Sequence, residues 1–240
     1  MNLGGGALFG SVAVAGAAFY GLAATRVTRP LLWDRFYDHV IWRGSTASPA
    51  RFALSFDDGP DPENTPPLLD VLERHGARAT FFMVGKQALR NRSLVERVAR
   101  SGHEIGNHSL SHRRMIFLSR TEIEKEIDAG ADAIRDAGGG RTSLFRPPYG
   151  LRDPRLLSAT AKRGYRVMLW SVMPWDWTRP PATWIEGWLR LRVGAGSIVV
   201  LHDGGGDRSA TVEAVDRVLP ALRERRFEAV TLSELIERPA

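Results

Sequence analysis

The chain has 240 residues, 43% of them hydrophobic, which suits one globular domain with a full core. It contains no cysteine, so disulfides and thiolate metal sites are excluded. The net charge is +6, from 33 basic and 27 acidic residues, yet no dense basic block with interleaved aromatics is present, so no nucleic-acid partner is expected.

Residues 1–25 carry no charged side chain and are built almost throughout from Gly, Ala, Leu, Val and Phe. About 20 such residues in a helix cross the hydrocarbon layer. The segment therefore reads as a hydrophobic membrane anchor or a signal segment, with a buried soluble helix as the third option. Residues 26–50 read as a juxtamembrane linker. Arg26, Arg29, Arg35 and Arg43 lie there beside Trp33, Phe36, Tyr37 and Trp42, a mixture that suits a membrane interface or a linker packed on the domain. This Arg-rich flank favours a cytoplasmic domain by the positive-inside rule.

From residue 51 to 240, short apolar runs alternate with helical stretches. The runs are 52–56, 79–84, 104–106, 144–146, 167–170, 197–201 and 229–232. Between them, helical stripes are formed by Leu68, Leu69 and Leu72, by Leu94, Val95 and Val98, and by Ile123, Ile127 and Ile134. Ser119 with Glu122 three residues on predicts a capping box for the third stripe. Further stripes cover 156–161, 184–191 and 212–222. Repeated alternation predicts an α/β fold with a parallel sheet and outer helices. Periodicity does not say whether the sheet is open or closed. Gly138 to Gly140 and Gly204 to Gly206 read as loops, Trp184 and Trp188 as core, and His39, His75 and His103 as structural.

Polar clusters gather where the runs end, the edge at which α/β folds place their sites. Asp57 and Asp58 follow the first run and precede Gly59-Pro60. Successive strand side chains point to opposite faces, so two adjacent carboxylates are expected to do different jobs. His108 and His112 stand four apart; on a helical turn they share one face and can clasp a single ion. Two histidines and one carboxylate leave a coordination position for water.

The segment from Ser55 to Pro60, His108 to His112 (HSLSH), Arg146 to Gly150 (RPPYG), Asp176-Trp177 and Leu201-His202-Asp203 resemble the five ordered motifs of the polysaccharide deacetylases. This is the NodB-homology family, carbohydrate esterase family 4. The resemblance covers about residue 50 to about 235. It implies a distorted (β/α) barrel of about seven parallel strands, here preceded by an N-terminal hydrophobic helix. It implies Asp57 as general base and Asp58, His108 and His112 as ligands of one divalent ion. Zinc is the default for that ligand set, with Co, Ni or Mn as alternatives. Arg146 would orient the base, the Tyr149 backbone N–H would help hold the oxyanion, and His202, supported by Asp176, would protonate the leaving amine. Trp177 and Leu201 would form the slot for the acetyl methyl, with Pro147 also contacting substrate.

The expected activity is removal of N-acetyl groups from a glycan such as peptidoglycan or a chitooligosaccharide-like polymer. The protein is expected to be a monomer, anchored in the membrane through its N-terminal segment, with a catalytic domain that acting on a glycan places outside the cytoplasm, although the Arg-rich flank points the other way. Two rivals are a deacetylase or deformylase of a lipid-linked sugar and a non-catalytic glycan-binding module.

Overall fold

The computed structural model describes residue 34, residues 36–46 and residues 50–237. The hydrophobic segment expected at 1–25 lies outside the described residues. Among those described, no helix is long and apolar enough to cross a membrane.

In chain order the strands are β1 (Val40–Ile41), β2 (Arg51–Asp57), β3 (Ala79–Met83), β4 (Glu104–Asn107), β5 (Leu144–Phe145), β6 (Arg166–Met168), β7 (Ile198–His202) and β8 (Glu228–Ala229). The helices are α1 (Thr65–Arg74), α2 (Gly85–Arg90), α3 (Arg92–Arg100), α4 (Arg120–Ile134), α5 (Pro154–Lys162), α6 (Ala182–Arg192), α7 (Ser209–Glu224) and α8 (Leu232–Ile236). Seven parallel strands pair in the order β1-β6-β5-β4-β3-β2-β7, and β8 joins the start of β2. A parallel bridge between Val172 and Val199 links the continuation of β6 to β7, so the curled sheet meets itself there. This is the distorted (β/α) barrel.

Strand alternation sorts β2 into two layers. Phe52, Leu54 and Phe56 face the helices, packing with Leu68 and Leu72 of α1, Val95 of α3 and Val215 of α7. Ala53 faces the barrel interior with Phe82, Phe145, Val167 and Val200. Burial on both faces is why the runs read as unbroken apolar stretches. Asp57 is two pleats beyond Ala53, so the same alternation aims it inward. Gly106 keeps the interior open, because a Cβ there would lie 2.4 Å from the Phe82 ring.

Three details differ from the sequence expectation. Strand β1 arises within residues 26–50, where Tyr37, Val40, Ile41 and Trp42 pack on the interior core. The run expected at 229–232 stops at Ala229, because Thr231 and Glu234 form a capping box that starts α8. Trp184, expected in the core, is 53% exposed, while Trp188 packs against the outer core. The capping box at Ser119 and Glu122 forms as expected.

Candidate active site

At the end of β2 the two aspartates separate. Asp57 Oδ1 accepts a 2.7 Å bond from Arg146 Nη1, while Asp58 leaves the strand with φ 76. Arg146 itself is fully buried inside the barrel. Its Nε donates to the Met168 carbonyl at 3.0 Å, and Nη1 also reaches Ser55 Oγ at 2.8 Å. The guanidinium lies over the Phe82 ring, 4.1 Å from the centroid. A guanidinium keeps its charge even when burial disfavours it, and a carboxylate is the partner that makes such burial tolerable.

Asp58 Oδ1 lies 3.0 Å from His112 Nε2 and 3.4 Å from His108 Nε2, and donor atoms of the three residues fall within 4.8 Å of one another. Burial works to raise the Asp58 carboxyl, but the close approach of His108 and His112, then the charge of His202, hold it well below the usual range. Despite those distances, Oδ1 is buried without a hydrogen bond of acceptable geometry. For His108 the tautomer accounts for this. Its Nδ1 lies 2.7 Å from the Arg146 carbonyl, which can only accept, so Nδ1 carries the proton and Nε2 offers a lone pair. The Asp58 oxygen and the His108 lone pair converging beside His112 fit a divalent cation.

The histidines are not on a helical turn, contrary to the spacing argument. Residues 108–112 form a loop in which Ser109 (φ 67) and His112 (φ 57) are left-handed. The reason is tertiary. Ser109 N–H donates to Asn107 Oδ1, Ser111 N–H and Oγ both donate to the Glu126 carboxylate, and Asn107 donates to the Ile127 carbonyl. Gly130 lets the loop sit on α4, since a Cβ there would lie 2.6 Å from Asn107 Oδ1.

On the other side of β2, β7 sets His202 in register with Asp57. Asp176 is buried and accepts from His202 Nδ1 at 2.9 Å, from the His202 backbone N–H at 2.8 Å, and from Thr211 Oγ1 at 3.1 Å. Burial disfavours the imidazolium, yet the Asp176 charge and hydrogen bond, then Asp58 and Asp57, push His202 up to about 9. His202 is thus a proton donor at neutral pH, with Nε2 as its free nitrogen. The Trp177 ring stands edge-on to it, 5.4 Å away.

Tyr149 has φ 60 and ψ 6, and its half-exposed ring lies tilted against His112, with centroids 4.6 Å apart. Pro147 is buried in the extended backbone between Arg146 and this turn. Leu201 is a correction. Being adjacent to His202 on one strand, it points to the opposite face and is buried in the helix-side core, so it cannot line an acetyl slot. Val200, two residues from His202 on the same pleat face, belongs to the interior core with Trp177.

Sequence reasoning missed Asn107 and Glu126, and it quoted Asp203 within the fifth motif without giving it a role. Glu126 carried a signal, as a carboxylate at i+3 from Ile123 on the apolar stripe of α4. Asp203 lies beneath the Asp57-Asp58-Gly59 turn. Thr65 Oγ1 donates to its Oδ2 at 2.6 Å, and its Oδ1 is buried without a partner. Burial pushes Asp203 up to about 7, against the Thr65 hydrogen bond and with help from the charges of Asp58 and Asp57. Two glycines are required here. A Cβ on Gly59 would lie 2.2 Å from Asp203 Oδ2, and one on Gly204 would lie 2.4 Å from the Asp58 carbonyl oxygen.

Comparison with known proteins agrees with this geometry. A family model described as polysaccharide deacetylase matches residues 44–168. The chain is 40% identical over 186 residues to a peptidoglycan-N-acetylglucosamine deacetylase of Bacillus cereus, covering 77% of this chain and 87% of that protein. It is 36% identical over 202 residues to a chitooligosaccharide deacetylase of Sinorhizobium fredii, covering 80% of this chain and 94% of that one. A crystal structure of the Bc1960 peptidoglycan N-acetylglucosamine deacetylase in complex with a naphthalenyl-benzamide superimposes with a TM-score of 0.83 at 31% identity, over 88% of this chain and 98% of that chain.

Proposed function

This chain belongs to the polysaccharide deacetylase family, and on that premise we propose that it hydrolyses the N-acetyl groups of amino sugars in a glycan of the peptidoglycan or chitooligosaccharide kind. One observation carries the reading. A base clamped by Arg146 and an acid clamped by Asp176 stand on adjacent strands, next to a cluster of three lone-pair donors. The names of the relatives support the same substrate class.

Asp58, His108 and His112 would hold one divalent ion, zinc first, with Co, Ni or Mn also accepted by such ligands. When bound, that ion supplies Lewis acidity toward the amide carbonyl and an acidified water. Asp57 takes the proton of the attacking water on Oδ2, because Oδ1 is occupied by Arg146. The Tyr149 backbone N–H helps hold the oxyanion, and its left-handed turn beside His112 sets it at the rim of the site. His202 donates its Nε2 proton to the leaving nitrogen, while Asp176 keeps the Nδ1 proton and the ring orientation. Trp177 offers an apolar wall for the acetyl methyl.

The test is acetate release from N-acetylglucosamine oligomers and peptidoglycan by the purified metal-loaded protein. Release lost on Asp57→Asn supports the reading, and no acetate from any glycan overturns it. We also read residues 1–25 as a membrane-inserted segment that places the catalytic domain outside the cytoplasm. A topology reporter fused to the C-terminus decides this, and a cytoplasmic signal rejects it.

A further inference from the structure

The basic residues on the flank that follows His112 are unequally engaged. Arg113 pairs with Glu122 at 3.3 Å and Arg120 with Glu124 at 3.1 Å. Arg155 binds Asp153 and donates to the carbonyls of Ile116 and Leu118. Arg114 is exposed and, among the described residues, has no carboxylate within ion-pair distance. Its guanidinium carbon sits 5.1 Å from the centroid of the Tyr149 ring, whose other neighbour is His112 at 4.6 Å. His112 in turn reaches Asp58. The backbone beside Arg114 is held in place, because Met115 is fully buried and Arg155 fixes the carbonyls of the following turn.

A guanidinium held near a ring by its charge keeps its N–H donors for a planar acceptor. The structure therefore holds an uncommitted, oriented arginine one aromatic ring away from a metal-ligand histidine. We propose that Arg114 is a specificity-determining residue that binds a carboxylate of the glycan and so selects carboxylate-bearing amino-sugar polymers over neutral N-acetylglucosamine oligomers. The inference rests on the deacetylase reading and refines it. Peptidoglycan carries carboxylates on its stem peptides, and on its lactyl groups where those peptides are missing, whereas chitooligosaccharides carry none. The two kinds of relative resemble this chain to similar degrees and leave that choice open.

The experiment measures acetate release from chitotetraose and from a peptidoglycan tetrasaccharide with free carboxylates, by the full-length metal-loaded protein. Arg114→Gln raises KM for the carboxylated substrate about fivefold, with kcat held and the neutral substrate within about twofold, the scale of an exposed ion pair. Arg114→Glu gives a larger loss on the carboxylated substrate alone, and Arg113→Gln changes neither. Added salt narrows the wild-type preference. Equal losses on both substrates, or no loss on either, overturn the proposal. If neither substrate yields acetate, the deacetylase reading fails separately. Titration of the same two saccharides into wild type and Arg114→Gln then decides the assignment, and equal affinities reject it.

Discussion

Replacing Asp176 by Asn removes the charge that keeps His202 protonated. In the intact site His202 titrates at about 9, and Asp176 supplies the leading upward influence against burial, ahead of Asp58 and Asp57. A cation at Asp58 offsets that residue's share but leaves that of Asp176. Without the Asp176 charge the imidazole returns toward its ordinary value of about 6.5. At pH 8 the protonated fraction then falls from about nine-tenths to roughly 3%, an approximately 30-fold loss of the general acid. Below about pH 6 the two proteins converge, because both imidazoles are protonated there. The assay is kcat/KM for acetate release from pH 5 to 10. Its alkaline limb is expected to move down by about 2.5 units in Asp176→Asn, provided His202 is the acid. A limb that stays within half a unit of wild type, or a uniform loss at every pH, refutes this reasoning. Stability follows the same sign. The raised His202 value stabilises the fold below about pH 6.5, and that contribution is lost as pH rises through about 9.

Other perturbations separate the remaining roles. Asp58→Asn weakens metal binding in a metal titration, whereas Asp57→Asn keeps the metal and lowers kcat by about 10²–10⁴; equal loss of metal in both contradicts the division between them. Arg146→Met strands the Asp57 carboxylate inside the barrel and costs about 3–5 kcal/mol in urea denaturation. Gly59→Ala drives a methyl into Asp203 and destabilises by about 1–3 kcal/mol, so an unchanged urea midpoint would show that the turn relaxes freely. Chelation abolishes acetate release, and zinc restores it.

The barrel was legible in the sequence because its strands are buried on both faces and so appear as apolar runs between stripes of period 3.6. Strand β1 was not, being two residues long within an Arg- and Trp-rich stretch. The five polar clusters at the strand ends were legible as one site for the same topological reason. The backbone that brings them together was not. His108 and His112 converge through two left-handed residues pinned by Asn107 and Glu126, contacts 2 to 15 residues apart that spacing alone cannot encode. Leu201 was misplaced because a motif names consecutive residues, whereas a strand sends them to opposite faces. Asp203 is visible in the fifth motif but has no role there, since nothing in the sequence tells that it folds under Gly59.

The charge balance of the site gives an independent reason to expect a cation there. Asp57, Asp58 and Asp176 stand against Arg146 and His202, and Asp203, titrating near 7, adds a partial negative charge. Formal charges alone leave the cluster at minus one or below, in a setting where water is largely excluded. Such a cluster repels the oxyanion that amide hydrolysis must form, and the buried Arg208 donates to the backbone carbonyls of Gly204, Gly205 and Asp176 rather than to a carboxylate of the cluster. A divalent ion beside Asp58 turns minus one into plus one, which a single developing oxyanion neutralises. The unsatisfied Asp58 Oδ1 and the oriented His108 Nε2 are where that charge is accepted. A monovalent ion in the same place would leave the cluster near zero with no attraction for the oxyanion. Sodium or potassium binding without a divalent ion should therefore leave acetate release at background, even if it restores stability.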